Sequence, residues 1–229
     1  IMVTIVAVLL SFVSMQLKPM QQMNMEIEKK QDVLRSVGMA GAASKADDKN
    51  AYINDEFAKY ITESYVVDYE GNMVETDAFE VMLTLNQEIR KPREERNYPV
   101  FIYSENGGLK KYVIPVRGKG LWGPIWGYVA LEEDLNTIYG AVFDHKGETP
   151  GLGAEINTGW FQEPFVGKTI FNENGEFVSV EVVKGGADPA SKHQVDAISG
   201  GTITSKGLED MLVDCLTGYV AHFKDLSSK

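Results

Sequence analysis

Ten residues near the C-terminal end concentrate the groups most able to do chemistry: Asp196-Ala197-Ile198-Ser199-Gly200-Gly201-Thr202-Ile203-Thr204-Ser205. Two adjacent glycines permit a tight turn and let another group approach the backbone closely. Just downstream, Leu208, Met211, Leu212, Cys215, Leu216, Tyr219, Val220 and Phe223 recur at helical spacing and predict one long helix over 206–226. The hydroxyls of Thr202, Thr204 and Ser205 then stand at a helix N-terminus, among unpaired N–H groups and the positive end of the dipole. That is chemistry suited to a phosphate. The same residue types also serve as plain helix caps, and on residue chemistry alone both readings stand.

Two further stretches are unusual. His145-Lys146-Gly147-Glu148-Thr149-Pro150-Gly151-Leu152-Gly153 follows a strand predicted to end at Phe143 or Asp144, and its Pro-Gly pair marks a turn. Gly118-Lys119-Gly120-Leu121-Trp122-Gly123-Pro124-Ile125-Trp126-Gly127-Tyr128 carries two tryptophans, which either shield a bound ring or fill the core. Other familiar sites do not form. The histidines, His145, His193 and His222, make no H-E-x-x-H or closely spaced carboxylate pattern, which argues against a zinc hydrolase. Ser199 lies in S-G-G-T rather than G-x-S-x-G, so no nucleophile elbow is present. No G-x-G-x-x-G opens a βαβ unit. The single cysteine, Cys215, cannot form an internal disulfide or a thiolate cluster and reads as packing.

The elements that must position these stretches are legible from periodicity. Met20, Met23, Ile27, Leu34 and Val37 predict a helix over 19–37, stopped by the small residues of GMAGAAS. A second helix begins at Ala51, with Ile53, Phe57, Tyr60 and Ile61 on one side. From Tyr65 the texture changes to strands. Extended pieces flank the turn Glu70-Gly71-Asn72, and YPVFIYSENGGLKKYVIPVRG reads as a hairpin about Asn106-Gly107-Gly108. IWGYVALE and TIYGAVFDH are two more strands. KTIFNENGEFVSVEVVKG predicts a last hairpin about Asn174-Gly175, and a helical piece covers Gly159–Phe165. Helices at the ends with antiparallel strands between them make an α+β fold.

Residues 1–17 stand apart, since Lys18 is the first charge. As a helix they span about 25 Å, a little short of the roughly 30 Å hydrocarbon core. The chain begins at Ile1 rather than Met, so the apolar stretch is expected to be longer in the full protein. FVSMQL offers no small-residue cleavage site, which favours a retained single-pass anchor over a signal peptide. We expect residues 1–17 to be the anchor, 18–47 a juxtamembrane helix and linker, and 48–229 the main domain. No Lys/Arg cluster follows Leu17, so the main domain is expected on the extracytoplasmic side.

The motif Asp196-x-x-Ser199-Gly200-Gly201-Thr202-x-Thr204 resembles the flavinylation motif of FMN-binding subunits of bacterial respiratory complexes, with Gly201 where that family usually has Ala. The stretch from Glu148 to Gly153 is similar to the ETPGLG loop of the same family, and the segment about Trp122 to the GxGLW segment of its Na+-translocating NADH:quinone oxidoreductase members. The resemblance implies FMN attached to Thr202 by a phosphoester, with Asp196, Ser199, Gly200, Gly201 and Thr204 forming its surroundings. It further implies contact of Glu148, Thr149, Gly151, Leu152, Gly153 and Trp122 with the flavin. The implied function is electron transfer in a Na+-translocating NADH:quinone oxidoreductase of the bacterial inner membrane, with the domain on the periplasmic side and ubiquinone reduction elsewhere. The chain alone would hold no complete active site. Implied partners are an iron–sulfur donor, a second flavin-bearing membrane subunit, a flavin transferase during maturation, and the lipid bilayer. The alternatives are a G-type subunit of an Rnf ferredoxin:NAD oxidoreductase and a non-redox membrane-anchored module.

Composition agrees with this picture. The chain has 229 residues and a formal charge of −11, from 22 Lys+Arg against 33 Asp+Glu. Nucleic-acid binding needs clustered cations for phosphate neutralisation, and the strongly acidic balance of the chain argues against it. Aromatic residues at 10% argue against disorder and for a packed core.

Overall fold

The computed structural model of the protein describes residues 2–39, 41–105 and 107–227. Ile1 and Asn106, part of the expected anchor and of the expected turn, lie outside the described residues.

Helix α1 runs unbroken over Met2–Ser36, so the apolar run and the following amphipathic stretch are one helix with Pro19 inside it. Residues 2–25 are exposed all round, and Ile27 is the first buried position. Among the described residues this is the one helix long and apolar enough to cross a membrane. Gly38, at φ +79°, turns the chain after it. Helix α2, Lys49–Tyr60, opens with the Asp48 carboxylate accepting from the N–H groups of Asn50 and Ala51, both at 3.0 Å.

Six antiparallel strands follow: β1 Ile61–Val67, β2 Met73–Val74, β3 Tyr98–Tyr103, β4 Lys111–Lys119, β5 Pro124–Leu131 and β6 Ile138–His145. Their order is β2-β1-β3-β4-β5-β6. Short helices α3 (Ala78–Leu83) and α4 (Leu85–Glu88) occupy the connection from β2 to β3. Two-residue periodicity sorts the sheet into faces. Ile114, Val116, Ile125 and Val129 pack with the C-terminal helices, while Val113, Tyr128 and Ala130 pack with Val33, Leu34 and Ile53 of α1 and α2. A Cβ at Gly140 would strike the Ser36 carbonyl, so this glycine lets the end of α1 settle against β6.

Two expectations are corrected. The region around Asn174-Gly175 is a capped turn rather than a hairpin of strands. The Asn172 side chain accepts from the N–H groups of Asn174 and Glu176, and the antiparallel pairing across the turn stops at the Phe171–Phe177 bridge and the bond from the Val178 N–H to the Ile170 carbonyl. Ser179 then takes φ +60°, which ends extension, and β7 (Glu181–Val183) pairs in parallel with β8 (Gln194–Asp196). The C-terminal helix also differs from the reading of one element over 206–226. Helix α6 spans Thr202–Thr217 and α7 spans Val220–Ser227. The break falls at Gly218, where the Tyr98 ring occupies the space a Cβ would need. A short helix, α5 (Gly159–Gln162), follows a 3-10 turn at Gly153–Asn157.

Two contacts fix α6 on the sheet. Gly207 sits against the Lys119 carbonyl at the end of β4, where a Cβ would clash with backbone. At the other end the Asp214 carboxylate takes Arg93 and Arg96, each at 2.7 Å. Partial burial of Asp214 disfavours its ionisation, but the hydrogen bonds from Arg96 and Arg93 outweigh that and hold its pKa below the ordinary value.

Gly207→Ala is expected to lower unfolding free energy by about 1–3 kcal/mol, the usual cost of overpacking, measured by urea denaturation. The Asp214 contribution has a definite pH sign. A carboxylate depressed in the folded state stabilises above its unfolded pKa and loses that effect as pH falls through the folded value. Asp214→Asn should therefore lower the Tm at pH 7, and its gap from the wild-type protein should close progressively below about pH 4.

Candidate functional site

Glu148 stands at the centre of the three stretches. Its side chain is buried, at 4% exposure, and both carboxylate oxygens are engaged. The Thr204 hydroxyl donates to Oε2 at 2.6 Å, and the Trp122 backbone N–H donates to Oε1 at 2.8 Å. One carboxylate thus joins the loop after β6, the turn between β4 and β5, and the first turn of α6. The fit leaves no room for side chains. A Cβ at Gly153 would strike Thr204 Oγ1, and one at Gly120 would lie 2.6 Å from Glu148 Oε1. His145 completes the loop by accepting the Glu148 N–H at Nδ1, at 3.1 Å. The neutral ring then carries its proton on Nε2, which is buried without a partner.

Within the motif before α6, each residue has a definite position. Asp196 ends β8 and accepts the Ala187 N–H at 2.6 Å. Ser199 and Gly200 form an exposed turn, with Gly200 at φ +76° and Leu152 Cδ2 2.6 Å from where its Cβ would be. The left-handed conformation and the close approach both require glycine. Gly201 is the residue before the helix and supplies no side-chain cap, so the first-turn N–H groups have no side-chain acceptor there. A Cβ on Gly201 would stand 2.9 Å from Ile198 Cγ2, which makes Gly an easier fit than a larger residue.

The three hydroxyls of the first turn differ sharply. Thr204 and Ser205 are each 1% exposed; Thr204 is spent on Glu148, and Ser205 Oγ accepts the Ile198 N–H at 3.0 Å. Thr202, the first residue of α6, is exposed. Around it lie apolar side chains open to solvent: Ile203 beside it, Leu152 over Gly200, and Leu121 and Trp122 on the segment tied to Glu148.

The loop residues Thr149, Gly151 and Leu152 are exposed, and Gly153 is buried beneath them. The Thr149 carbonyl accepts the N–H groups of Leu152 and Ala154, each at 3.1 Å. Gly151, at φ +75°, donates its N–H to Glu155, whose carboxylate also receives the Trp160 indole N–H at 3.1 Å. Glu155, Trp160 and His145 were not singled out in sequence as site residues. Only the nearness of Trp160 and Glu155 to the Pro-Gly turn could have signalled them. Trp122 and Trp126 do not act together. Trp122 is 69% exposed beside Glu148, whereas Trp126 points to the α1 face of β5, with Arg117 over its ring. Cys215 is buried in the core, and burial pushes its thiol up to about 11, consistent with packing.

These residues fit a flavin mononucleotide. The exposed hydroxyl and first-turn N–H groups of α6 suit its phosphate, the exposed apolar side chains suit a flat ring, and the buried His145 Nε2 is an unused donor in the loop.

Comparison with known proteins agrees. Residues 120–217 match the FMN-binding domain family. The chain is 33% identical over 218 residues to the C subunit of the Na(+)-translocating NADH-quinone reductase of Vibrio vulnificus, covering 89% of this chain and 82% of that protein. Over 123 residues it is 42% identical to the C subunit of the same enzyme from Pseudomonas aeruginosa, covering 52% of this chain and 47% of that one. The crystal structure of the C subunit from Parabacteroides distasonis superposes with a TM-score of 0.77 at 42% identity, over 90% of this chain and 96% of that one. The NqrC structure from Shewanella oneidensis gives 0.67 at 30% identity, over 88% and 100%.

The Glu148–Thr204 contact should show as a coupling energy. Glu148→Gln and Thr204→Val are each expected to destabilise, and a double-mutant cycle read by urea unfolding should give about 1.5–3 kcal/mol of coupling, the range for a charge-assisted hydrogen bond.

Proposed function

Because the chain belongs to the family of C subunits of the Na(+)-translocating NADH-quinone reductase, we propose that it carries electrons within such a complex through FMN held on Thr202 by a phosphoester. The protein is an FMN-binding subunit of an oxidoreductase assembly and has no complete active site of its own. The observation that carries the attachment reading is the division among the first-turn hydroxyls: Thr204 and Ser205 are buried and engaged, whereas Thr202 is exposed.

When bound, FMN supplies the electron-transfer chemistry. The residues of this chain hold and orient it. Thr202 Oγ1 provides the point of attachment. The N–H groups at the start of α6 and its dipole stabilise the charge that a phosphodiester retains. Gly200 and Gly201 keep the approach to Thr202 open, and Asp196 and Ser199 flank it. Glu148 fixes Thr204 and the Trp122 backbone, so that Trp122 and Leu152 stand ready against an apolar ring beside the loop of Thr149, Gly151 and Gly153.

The same reading extends to the surroundings. The apolar run of residues 1–17, which opens the chain, anchors the subunit in the bacterial inner membrane, with the domain on the periplasmic side. We divide the chain at 17 and 47 into anchor, juxtamembrane helix with linker, and flavin domain. An iron–sulfur centre donates electrons, a second flavin-bearing subunit accepts them, and a flavin transferase loads the cofactor.

The test uses protein co-expressed with a flavin transferase, denatured and run on a gel. The wild-type band should fluoresce as flavin, Thr202→Ala should be dark with an unchanged circular dichroism spectrum, and Thr204→Val should remain bright. A bright Thr202→Ala band would overturn the assignment.

A further inference from the structure

The final turns of α1 seat on the sheet face opposite α6. Ile27, Val33, Leu34 and Val37 pack there with Val113, Tyr128 and Ala130, and the Ser36 carbonyl lies against Gly140 of β6. Asp32 stands in the middle of that seat at 7% exposure. It lines a crevice with Arg35 of its own helix, Trp126 and Tyr128 of β5, and Asp144 of β6. A carboxylate buried at such a junction usually meets a cation from the other side. Asp32 does not. Its ion pair, at 3.2 Å, is with Arg35 one turn along the same helix, and the Arg35 side chain is 41% exposed. Among the described residues no ion pair joins Asp32 to the sheet.

The other charges around Asp32 leave it in that position. Glu28 and Lys29 of α1, Arg117 of β4 and Lys146 after β6 line an adjoining cavity of about 360 Å³. Arg117 is turned onto the Trp126 ring, 5.8 Å from its centroid. Burial holds Lys29 below its ordinary pKa, and Arg117 adds to this. The Tyr128 phenol is buried, which keeps it neutral. Asp144, the acidic group that β6 contributes, accepts the His145 N–H at 2.7 Å. Burial pushes the Asp32 carboxyl up to about 6; Arg35 opposes this, while Glu28 and Asp144 add to it.

We propose that Asp32 is a pH-sensitive latch between α1 and the sheet: with its carboxyl neutral, residues 26–37 seat fully on β5 and β6, and with it ionised that seat loosens while the rest of the domain stays folded. The direction follows from burial. Release of the helix returns the carboxylate to water, so the ionised form favours the released state. A carboxyl raised in the seated state contributes its stability below the ordinary carboxylate value and loses it as pH rises through about 6. Asp214 has the opposite sign, so the difference between the wild-type protein and an Asp32 variant isolates the latch. The proposal depends neither on the flavin attachment nor on α1 crossing a membrane.

The test is hydrogen exchange of the full chain in a non-ionic detergent, read by mass spectrometry and corrected for the intrinsic effect of pH. At pH 8 the amides of residues 26–37 should exchange about tenfold faster in the wild-type protein than in Asp32→Asn. The gap should narrow as pH falls below about 6 and close near about pH 4. Asp144→Asn, which removes a like charge, should shrink the gap, and Asp55→Asn, an exposed carboxylate of α2, should leave it unchanged. Thermal melts report whether each variant is folded. Carbon NMR titration of the wild-type Asp32 carboxyl needs no variant and should give a midpoint near about 6. A midpoint in the ordinary carboxylate range, or equal exchange of 26–37 at pH 8, would overturn the proposal. Faster exchange in Asp32→Asn at pH 8 would overturn it too, by showing that the Arg35 ion pair holds the seat. Exchange that quickens across the whole domain would replace the latch with a global effect on stability.

Discussion

The carboxylate of Glu148 is the constraint on which the site depends. It is buried, and it is satisfied only because Thr204 Oγ1 and the Trp122 N–H both reach it. A buried carboxylate without such partners would cost several kilocalories per mole, so the three segments are held in one arrangement or incur that penalty. The glycines on either side, Gly120 and Gly153, are the steric counterpart of this bond, because any side chain there would push the segments apart. The network also removes the Thr204 hydroxyl from solvent. The chemistry left at the start of α6 is therefore that of Thr202, of the first-turn N–H groups and of the exposed apolar side chains nearby.

The rest of the fold supplies the platform for that bond. Helix α6 meets the end of β4 at Gly207 with no intervening side chain, and Arg93 and Arg96 hold its far end through Asp214. With both ends fixed, the N-terminus of α6 faces solvent at a set distance from the loop after β6. The opposite face of the sheet receives the end of α1, so the helix that carries the apolar run is packed into the domain core through Val33, Leu34 and Val37. The apolar helix and the domain are continuous at that point.

Much of this architecture is written in local sequence. The extended runs at Tyr98–Tyr103, Lys111–Lys119, Pro124–Leu131 and Ile138–His145 became four adjacent strands, because β-branched and aromatic runs bounded by turn residues are a local signal. The glycine and hydroxyl pattern from Ser199 to Thr204 likewise announced a helix N-terminus. What remained hidden depends on distant partners. Nothing near Glu148 says that its carboxylate will be spent on a threonine 56 residues away. The end of α6 looked like mid-helix because Tyr219, Val220 and Phe223 continue the apolar spacing, and the break comes from the Tyr98 ring against Gly218. The parallel pairing of β7 with β8 is equally non-local. The opposite placement of Trp122 and Trp126 could have been read, since Trp126 alternates with Ile125 and Gly127 on β5.

The exposed hydroxyl of Thr202, and no other in the motif, is the proposed carrier of the flavin. Tandem mass spectrometry of the tryptic peptide 193–206 from protein matured with a flavin transferase tests this most directly, because that peptide contains Ser199, Thr202, Thr204 and Ser205 together. The expected peptide is heavier by FMN less one water, with fragment ions assigning the added mass to Thr202. The same mass on Thr204, Ser199 or Ser205, or a peptide that stays unmodified in fully matured protein, would contradict the assignment.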